Sequence, residues 1–154
     1  MALVTPVFVD TTVFVEGLID IGPASEKARA ILKAIAGGQI RDPRTAWHCC
    51  LEFYAVSTRL PEEYRLTTEE AGLIIAESIL ANFEIHDLPG DARRGFLDAA
   101  ARERLPGGRI YDAHIAETAR VHGAKSVITG NTRHFKVLAA HGISILTPSE
   151  VKLR

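Results

Sequence analysis

A short apolar run near the start of the chain, which ends abruptly at a carboxylate, is the feature that most constrains the fold. Val7-Phe8-Val9 is rich in β-forming residues, and Asp10 follows it directly. Further runs that predict strands occur at 83–88, 125–129 and 143–146, and stretches with helical periodicity separate them. No Asn-Gly hairpin signal joins two of these runs. We therefore expect one α/β domain with a parallel sheet, spanning residues 1–154.

Two further stretches carry local expectations. Ile40-Arg41 predicts a very short strand, and a helix is expected to begin at Pro43, because apolar residues from there repeat at helical spacing. The stretches 13–19 and 73–80 are apolar on more than one side. Apolar surface on several helix faces indicates that another chain covers part of it.

Composition excludes several classes of protein. Lys and Arg total 18 against 19 acids, for a net charge of −1, so no polybasic field covers the molecule. Aromatic residues make up only 6%, which argues against a broad base-stacking platform. Cys49 and Cys50 are adjacent and have no third cysteine to pair with, which indicates reduced thiols. With no signal-peptide start and no apolar run of roughly 20 residues, we expect a cytoplasmic protein that does not enter a membrane.

Polar residues follow two of the expected strands at the point where each strand ends. Asp10 follows the first, and Thr129-Gly130-Asn131 follows the run at 125–129. In parallel sheets, ligands bind beyond the carboxyl ends of the strands, which favours these positions for a site. A helix N-cap explains Asp10 equally well, and a turn explains Asn131.

Two more acids are candidates inside helices. Glu52 adjoins an apolar stripe and has no Lys or Arg three or four residues away, although a mid-helix glutamate is commonly a solvated surface charge. Asp112 lies in the first turn of its helix, where the helix dipole and Arg109 are sufficient to explain it. Glycine-rich phosphate loops and a GxSxG elbow are absent from the sequence. Carboxylates without thiolate or histidine partners suit Mg²⁺ or Mn²⁺.

These segments together resemble the PIN-domain nucleases, and most closely the VapC-type toxins of toxin–antitoxin modules. The matching segments are Phe8–Thr12, Glu52 in its helix, Tyr111–Ala116 and Val127–Phe135. The resemblance covers nearly the whole chain in order and spacing. It implies a Rossmann-like parallel sheet flanked by helices, a homodimer, a cognate antitoxin protein and a divalent-metal site that cleaves RNA.

Carried over residue by residue, the resemblance implies that Asp10, Glu52 and Asp112 are the first three acids of the site. Asp10 and Asp112 would bind the metal directly, and Glu52 would act through a water. Asn131 stands where many members have a fourth acid, and His134 stands where others have an aspartate. Both substitutions reduce the charge available to a second ion. Further substrate contacts are expected from the following residues: Thr11, Thr129, Arg109, Arg133 and His134.

Three functions remain open at the level of sequence. The first is a Mg²⁺-dependent endoribonuclease that acts as the toxin of a toxin–antitoxin pair. The second is a catalytically weak PIN scaffold that binds RNA or a protein, which Asn131 and His134 favour. The third is a related enzyme that acts on DNA or on another phosphodiester.

Overall fold

Five parallel strands form the centre of the structure, a computed structural model that describes residues 3–153. The strands are β1 (Val7–Val9), β2 (Pro43–Ala46), β3 (Glu84–His86), β4 (Ser126–Ile128) and β5 (Ser144–Leu146). They lie in the order β3-β2-β1-β4-β5, and every neighbouring pair is parallel. The expected α/β fold is thus confirmed. Met1, Ala2 and Arg154, which the expected domain of residues 1–154 includes, lie outside the described residues.

Helices connect the strands, as parallel pairing requires. The α-helices are α1 (Thr11–Leu18), α2 (Ala24–Ala36), α3 (Trp47–Ser57), α4 (Thr68–Ile74), α5 (Arg93–Arg102) and α6 (Arg109–Val121). A π-helical segment, Ile75–Leu80, continues α4, and 3₁₀ segments cover Gly90–Ala92, Thr132–His141 and Pro148–Glu150. Thr67 caps α4 in a reciprocal capping box with Glu70. None of the helices described for residues 3–153 combines the length and apolar character that a bilayer crossing requires.

The core is built on the central strand. All three residues of β1 are buried, and large apolar side chains from both sides of the sheet surround them: Phe14, Phe53, Ile79, Ile115, Ile128, Phe135 and Leu138. Close packing of α1 on α2 depends on Gly17. A Cβ atom there would lie 2.6 Å from Cδ1 of Leu32 and 3.0 Å from the backbone of Ala28. Any larger residue would push the two helices apart.

The expectation for the second strand was wrong in position. The strand is β2, Pro43–Ala46, and not Ile40-Arg41, and the helix begins at Trp47 and not at Pro43. Proline is tolerated at the first residue of a strand, where its missing N–H is least disruptive. Thr45 then fixes the strand against its neighbour, because its hydroxyl donates to the carbonyl of Val9 at 2.7 Å.

The two apolar stretches expected to meet another chain differ from each other. Val13 and Phe14 are fully buried within this chain, so most of the first stretch is already covered. Leu73 and Leu80 are 58% and 43% exposed. Only the second stretch leaves substantial apolar surface free for a partner.

Candidate functional site

The pairing of β1 with β4 brings two polar strand ends together. Val9 lies opposite Ile128, and the amide of Asp10 donates to the carbonyl of Ile128 at 3.0 Å. Asp10 and Thr129, the residues that follow the two strands, therefore meet at the carboxyl edge of the sheet. This is the edge where open parallel sheets bind their ligands.

Asp10 is a buried carboxyl group held by two hydroxyls. Only 3% of the residue is exposed. Its Oδ2 atom accepts hydrogen bonds from the hydroxyls of Thr129 at 2.8 Å and Thr12 at 3.0 Å. Burial raises the pKa of Asp10 to about 6, the two hydroxyls oppose this rise, and the nearby charge of Glu52 adds to it. The negative charge of Asp10 is thus costly at neutral pH and would be relieved by a cation.

Thr12 also fixes the turn that follows β4. The amide of Gly130 donates to the Thr12 hydroxyl at 2.7 Å, and the amide of Asn131 donates to the Thr129 hydroxyl at 2.9 Å. A Cβ atom on Gly130 would lie 3.3 Å from both the Thr12 hydroxyl and Oε1 of Glu16. The turn therefore lies directly against the first turns of α1, and its side chains have fixed positions relative to Asp10.

Glu52 is held by a histidine one helical turn earlier. Its Oε2 atom lies 3.6 Å from Nε2 of His48, and His48 is the main reason why the pKa of Glu52 is lowered, with smaller contributions from Thr11 and the charge of Arg59. The Thr11 hydroxyl is close enough to favour the charged form of Glu52, yet it is buried and makes no hydrogen bond of standard geometry. A buried oxygen without a hydrogen-bond partner, close to the carboxylate of Glu52, is available to an additional ligand.

Asp112 has a different partner from the one expected. Arg109 does not pair with it. Instead, Oδ2 of Asp112 lies 2.5 Å from Nδ1 of His134, which lies 2.8 Å from the side-chain nitrogen assigned to Asn131. One ring nitrogen cannot donate to the carboxylate and accept from an amide at once. If Nδ1 carries the proton that bonds Asp112, the Asn131 side chain must turn its amide oxygen, and not its nitrogen, toward the ring.

These contacts form one continuous chain from Asp10 to Asp112. It runs from Asp10 through the Thr129 hydroxyl to the backbone and side chain of Asn131, then through His134 to Asp112. The charge of Glu52 reaches Asp10 from the other side. Among residues 3–153, however, no three His, Cys, Asp or Glu side chains are close enough to enclose one metal ion.

The basic candidates lie at the rim. Arg109 and Arg133 are exposed, and neither forms an ion pair with another described residue. Three contact residues were not among the expected site residues: Thr12, Glu16 and His48. The four-residue spacing of His48 and Glu52 in a helix is a signal in the sequence for this contact.

Comparison with known proteins places this arrangement in a family. The PIN domain family matches residues 7–140, which is most of the chain and includes the four expected site positions. The chain belongs to the PIN-domain family. Within this PIN domain, Asp10, Glu52, Asp112 and Asn131 all fall inside the matched region.

One similar protein is Ribonuclease VapC40 of Mycobacterium tuberculosis, found with the same match in strains CDC 1551 and H37Rv. The identity is 33% over 78 residues, which cover 51% of this chain and 57% of that protein. The chain therefore spans little more than half the length of the curated relative that it matches.

Two solved structures share the fold. One is FitAB bound to an IR36 DNA fragment, with a TM-score of 0.63 and 19% identity over 95% of this PIN domain and 97% of that chain. The other is FitAcB from Neisseria gonorrhoeae, with a TM-score of 0.60 and 21% identity over 94% of this chain and 99% of that chain. At such low identity, both establish the fold alone.

Proposed function

We propose that this PIN domain is an endoribonuclease that hydrolyses RNA phosphodiester bonds with a divalent cation. The cation is Mg²⁺, and Mn²⁺ can substitute for it. The observation that carries the proposal is Asp10. Its carboxyl group is buried at the carboxyl end of the central strand, oriented by two hydroxyls, and has its pKa raised to about 6. A carboxylate kept in such a place without a basic partner is suited to a metal ion. The similarity to Ribonuclease VapC40 supports the choice of RNA as substrate.

The chemistry of the donors fits a hard cation. Asp10, Glu52, Asp112 and Asn131 offer oxygen atoms, and the Thr11 hydroxyl is buried without a hydrogen-bond partner. Mg²⁺ and Mn²⁺ prefer oxygen ligands. Cys49 is the nearest soft ligand, but burial raises the pKa of its thiol to about 12, so it stays protonated.

Each residue has a proposed role. Asp10 and Asp112 hold the cation, and Glu52 positions the attacking water. Asn131 orients that water through its amide, and His134 sets the position of Asp112. When bound, the cation would lower the pKa of water and neutralise charge on the phosphate. Exposed Arg109 and Arg133, with His134, would contact the substrate, and buried Thr11 and Thr129 would contribute from the floor of the site.

A second candidate function has one observation in its favour. Asp112 is already paired with His134, and the described acids do not form a group of three around one point. A PIN scaffold that binds RNA or a protein without cleaving would have this arrangement. For nuclease activity, Asp112 would bind the cation through Oδ1 while Oδ2 keeps its bond to His134.

The partners are proposed on the resemblance to VapC toxins. The chain would act as the toxin of a toxin–antitoxin pair in the cytoplasm, as a single-domain homodimer bound by a cognate antitoxin. The exposed leucines Leu73 and Leu80 offer apolar surface for association. Sedimentation across a range of concentrations tests the dimer, and a strict monomer at the highest concentration would contradict it.

The decisive experiment is cleavage of end-labelled single-stranded RNA by the purified protein. We expect products with Mg²⁺ or Mn²⁺ and none with EDTA. A DNA strand of the same sequence tests the choice of substrate, and Asp10→Asn tests for a contaminating nuclease. Equal cleavage in EDTA would overturn the metal mechanism. Tight RNA binding without cleavage under any metal would favour the scaffold.

A further inference from the structure

A row of aromatic side chains runs beside the acids and ends at the surface. The ring of Phe96 lies 5.6 Å from that of His114, which meets His48 edge-on at 5.4 Å. His48 in turn stacks on Tyr111, with ring centres 5.3 Å apart and planes 26° apart. These distances are typical of favourable aromatic pairs, so the row holds the last ring in a fixed orientation.

The row is joined to the site at two points. Tyr111 directly precedes Asp112 in α6, and His48 lies 3.6 Å from the carboxylate of Glu52. The aromatic row therefore cannot move independently of two of the proposed site residues. Whatever rests on its outer end lies close to the position where a phosphate would be cleaved.

Tyr111 leaves most of its surface to solvent. It is 54% exposed although His48 covers one face of its ring. The opposite face is left available to another flat ring. A large aromatic side chain that is both exposed and oriented by a stacked neighbour is a ready platform for stacking.

We propose that Tyr111 is a base-stacking subsite, which holds a nucleobase of single-stranded RNA next to the scissile phosphate. This inference rests on the proposed ribonuclease function. A nucleotide combines a flat ring with an anion, and α6 offers a partner for both. Tyr111 lies in the first turn of α6, where the helix dipole favours negative charge.

Binding can be tested separately from cleavage. Two series of single-stranded RNA oligonucleotides are prepared. One series carries 2-aminopurine at a single position that varies along the strand, and the other carries an abasic residue at the same position. Wild-type protein is titrated into each with Ca²⁺ in place of Mg²⁺. The variants are Tyr111→Ala and Tyr111→Phe. The matched control is Tyr54→Ala, because Tyr54 is 39% exposed on α3 but lies two residues, or about 200°, around that helix from Glu52.

At one position of the series we expect quenching of 2-aminopurine and roughly tenfold weaker binding of the abasic strand to wild type. Tyr111→Ala should bind both strands equally weakly, while Tyr111→Phe and Tyr54→Ala should behave as wild type. Unchanged binding by Tyr111→Ala would overturn the subsite and assign this surface to a protein partner. The subsite would also be overturned if Tyr111→Ala weakened the binding of both strands by the same factor relative to wild type. If stacking depends on Tyr111 but no metal supports cleavage, the subsite stands and the ribonuclease proposal fails.

Discussion

Asp10 and Asp112 lie at the two ends of one hydrogen-bonded chain, but their surroundings are opposite in kind. Asp10 is 3% exposed and receives only neutral hydroxyl donors, so burial raises its pKa. The side chain of Asp112 is 26% exposed and contacts an imidazole that can carry positive charge. Among the described residues, Asp10 therefore has no basic partner, while Asp112 is paired with a histidine. The difference indicates that a cation is needed first at Asp10, and that Asp112 joins through Oδ1 while Oδ2 keeps its bond to His134.

The largest expected effect is on cleavage. Asp10→Asn should reduce the rate by about 10²–10³-fold, since it removes the charged ligand that has no substitute nearby. The measurement is the single-turnover rate on single-stranded RNA with Mg²⁺. Asp98→Asn is the matched control, because Asp98 is an exposed acid on α5 that pairs only with Arg94. Equal rates for Asp10→Asn and wild type would exclude Asp10 from cleavage and leave it the role of holding Thr12 and Thr129.

Stability without metal should depend on pH through Asp10. The pKa of Asp10 in the fold, about 6, lies above its ordinary value of 3.8, so the folded state binds the proton more tightly. The resulting stability is fully present below pH 3.8 and is lost as the pH rises through 6. From pH 4 to pH 7 we expect a loss of about 2–3 kcal/mol from this group.

Urea unfolding of wild type and Asp10→Asn in EDTA at several pH values measures this contribution. Asp10→Asn should not show this loss of unfolding free energy between pH 4 and pH 7. At pH 7 it should therefore be more stable than wild type. Mg²⁺ should raise the stability of wild type alone, because only wild type binds it to the folded state. If the unfolding free energies of the two proteins changed with pH in parallel, ionisation of Asp10 would carry no cost in stability.

Asn131 lies midway along the hydrogen-bonded chain that joins Asp10 to Asp112. Substitutions of Asn131 test how many ions the site holds. One ion should bind tightly to wild type, and a second should bind more weakly because Asn131 brings no charge. Asn131→Asp should strengthen the second ion on the order of tenfold. Asn131→Ala should reduce cleavage more than metal binding, because the backbone link to Thr129 survives and only the side-chain link to His134 is lost. Calorimetric titration of Mn²⁺ decides this, and two equal tight sites in all three proteins would refute it.

The smallest effect concerns the stability contribution of Asp112. Asp112→Asn should reduce cleavage too, but it should destabilise the metal-free protein by about 1 kcal/mol, through loss of the hydrogen bond to His134. The sign is opposite to that for Asp10→Asn at pH 7. Urea unfolding under the same conditions measures both. Stabilisation by both substitutions would mean that the two acids share one repulsive cluster after all.

The sequence predicted the elements that carry strong local signals. β1 and β4 are short apolar runs, and the capping box at Thr67 has a local hydrogen-bond pattern, so each could be found without tertiary information. β2 could not, because Pro43-Arg44-Thr45-Ala46 has no apolar periodicity and becomes a strand through its pairing with β1 and β3. Tertiary pairing here overrides local preference.

The candidate site divides in the same way. The position of Asp10 follows from the general rule for parallel sheets, so its place at the carboxyl edge was predictable. The contact between His134 and Asp112 joins residues 22 apart, through the packing of the 3₁₀ segment Thr132–His141 on α6. No periodicity encodes that distance. The role of Thr12 was likewise hidden, since its two partners are contributed by different strand ends.

The central place of β1 has a consequence for synthesis on the ribosome. β1 leaves the ribosome before β4 does, because the hydroxyl of Thr129 that bonds Asp10 comes 119 residues later in the sequence. Until β4 has left the ribosome and taken its place beside β1, Asp10 has neither the Thr129 hydroxyl nor the turn that carries Asn131. A nascent chain that ends before β4 therefore carries no assembled site. The complete arrangement can form only after β4 has been made, a timing set by strand order alone.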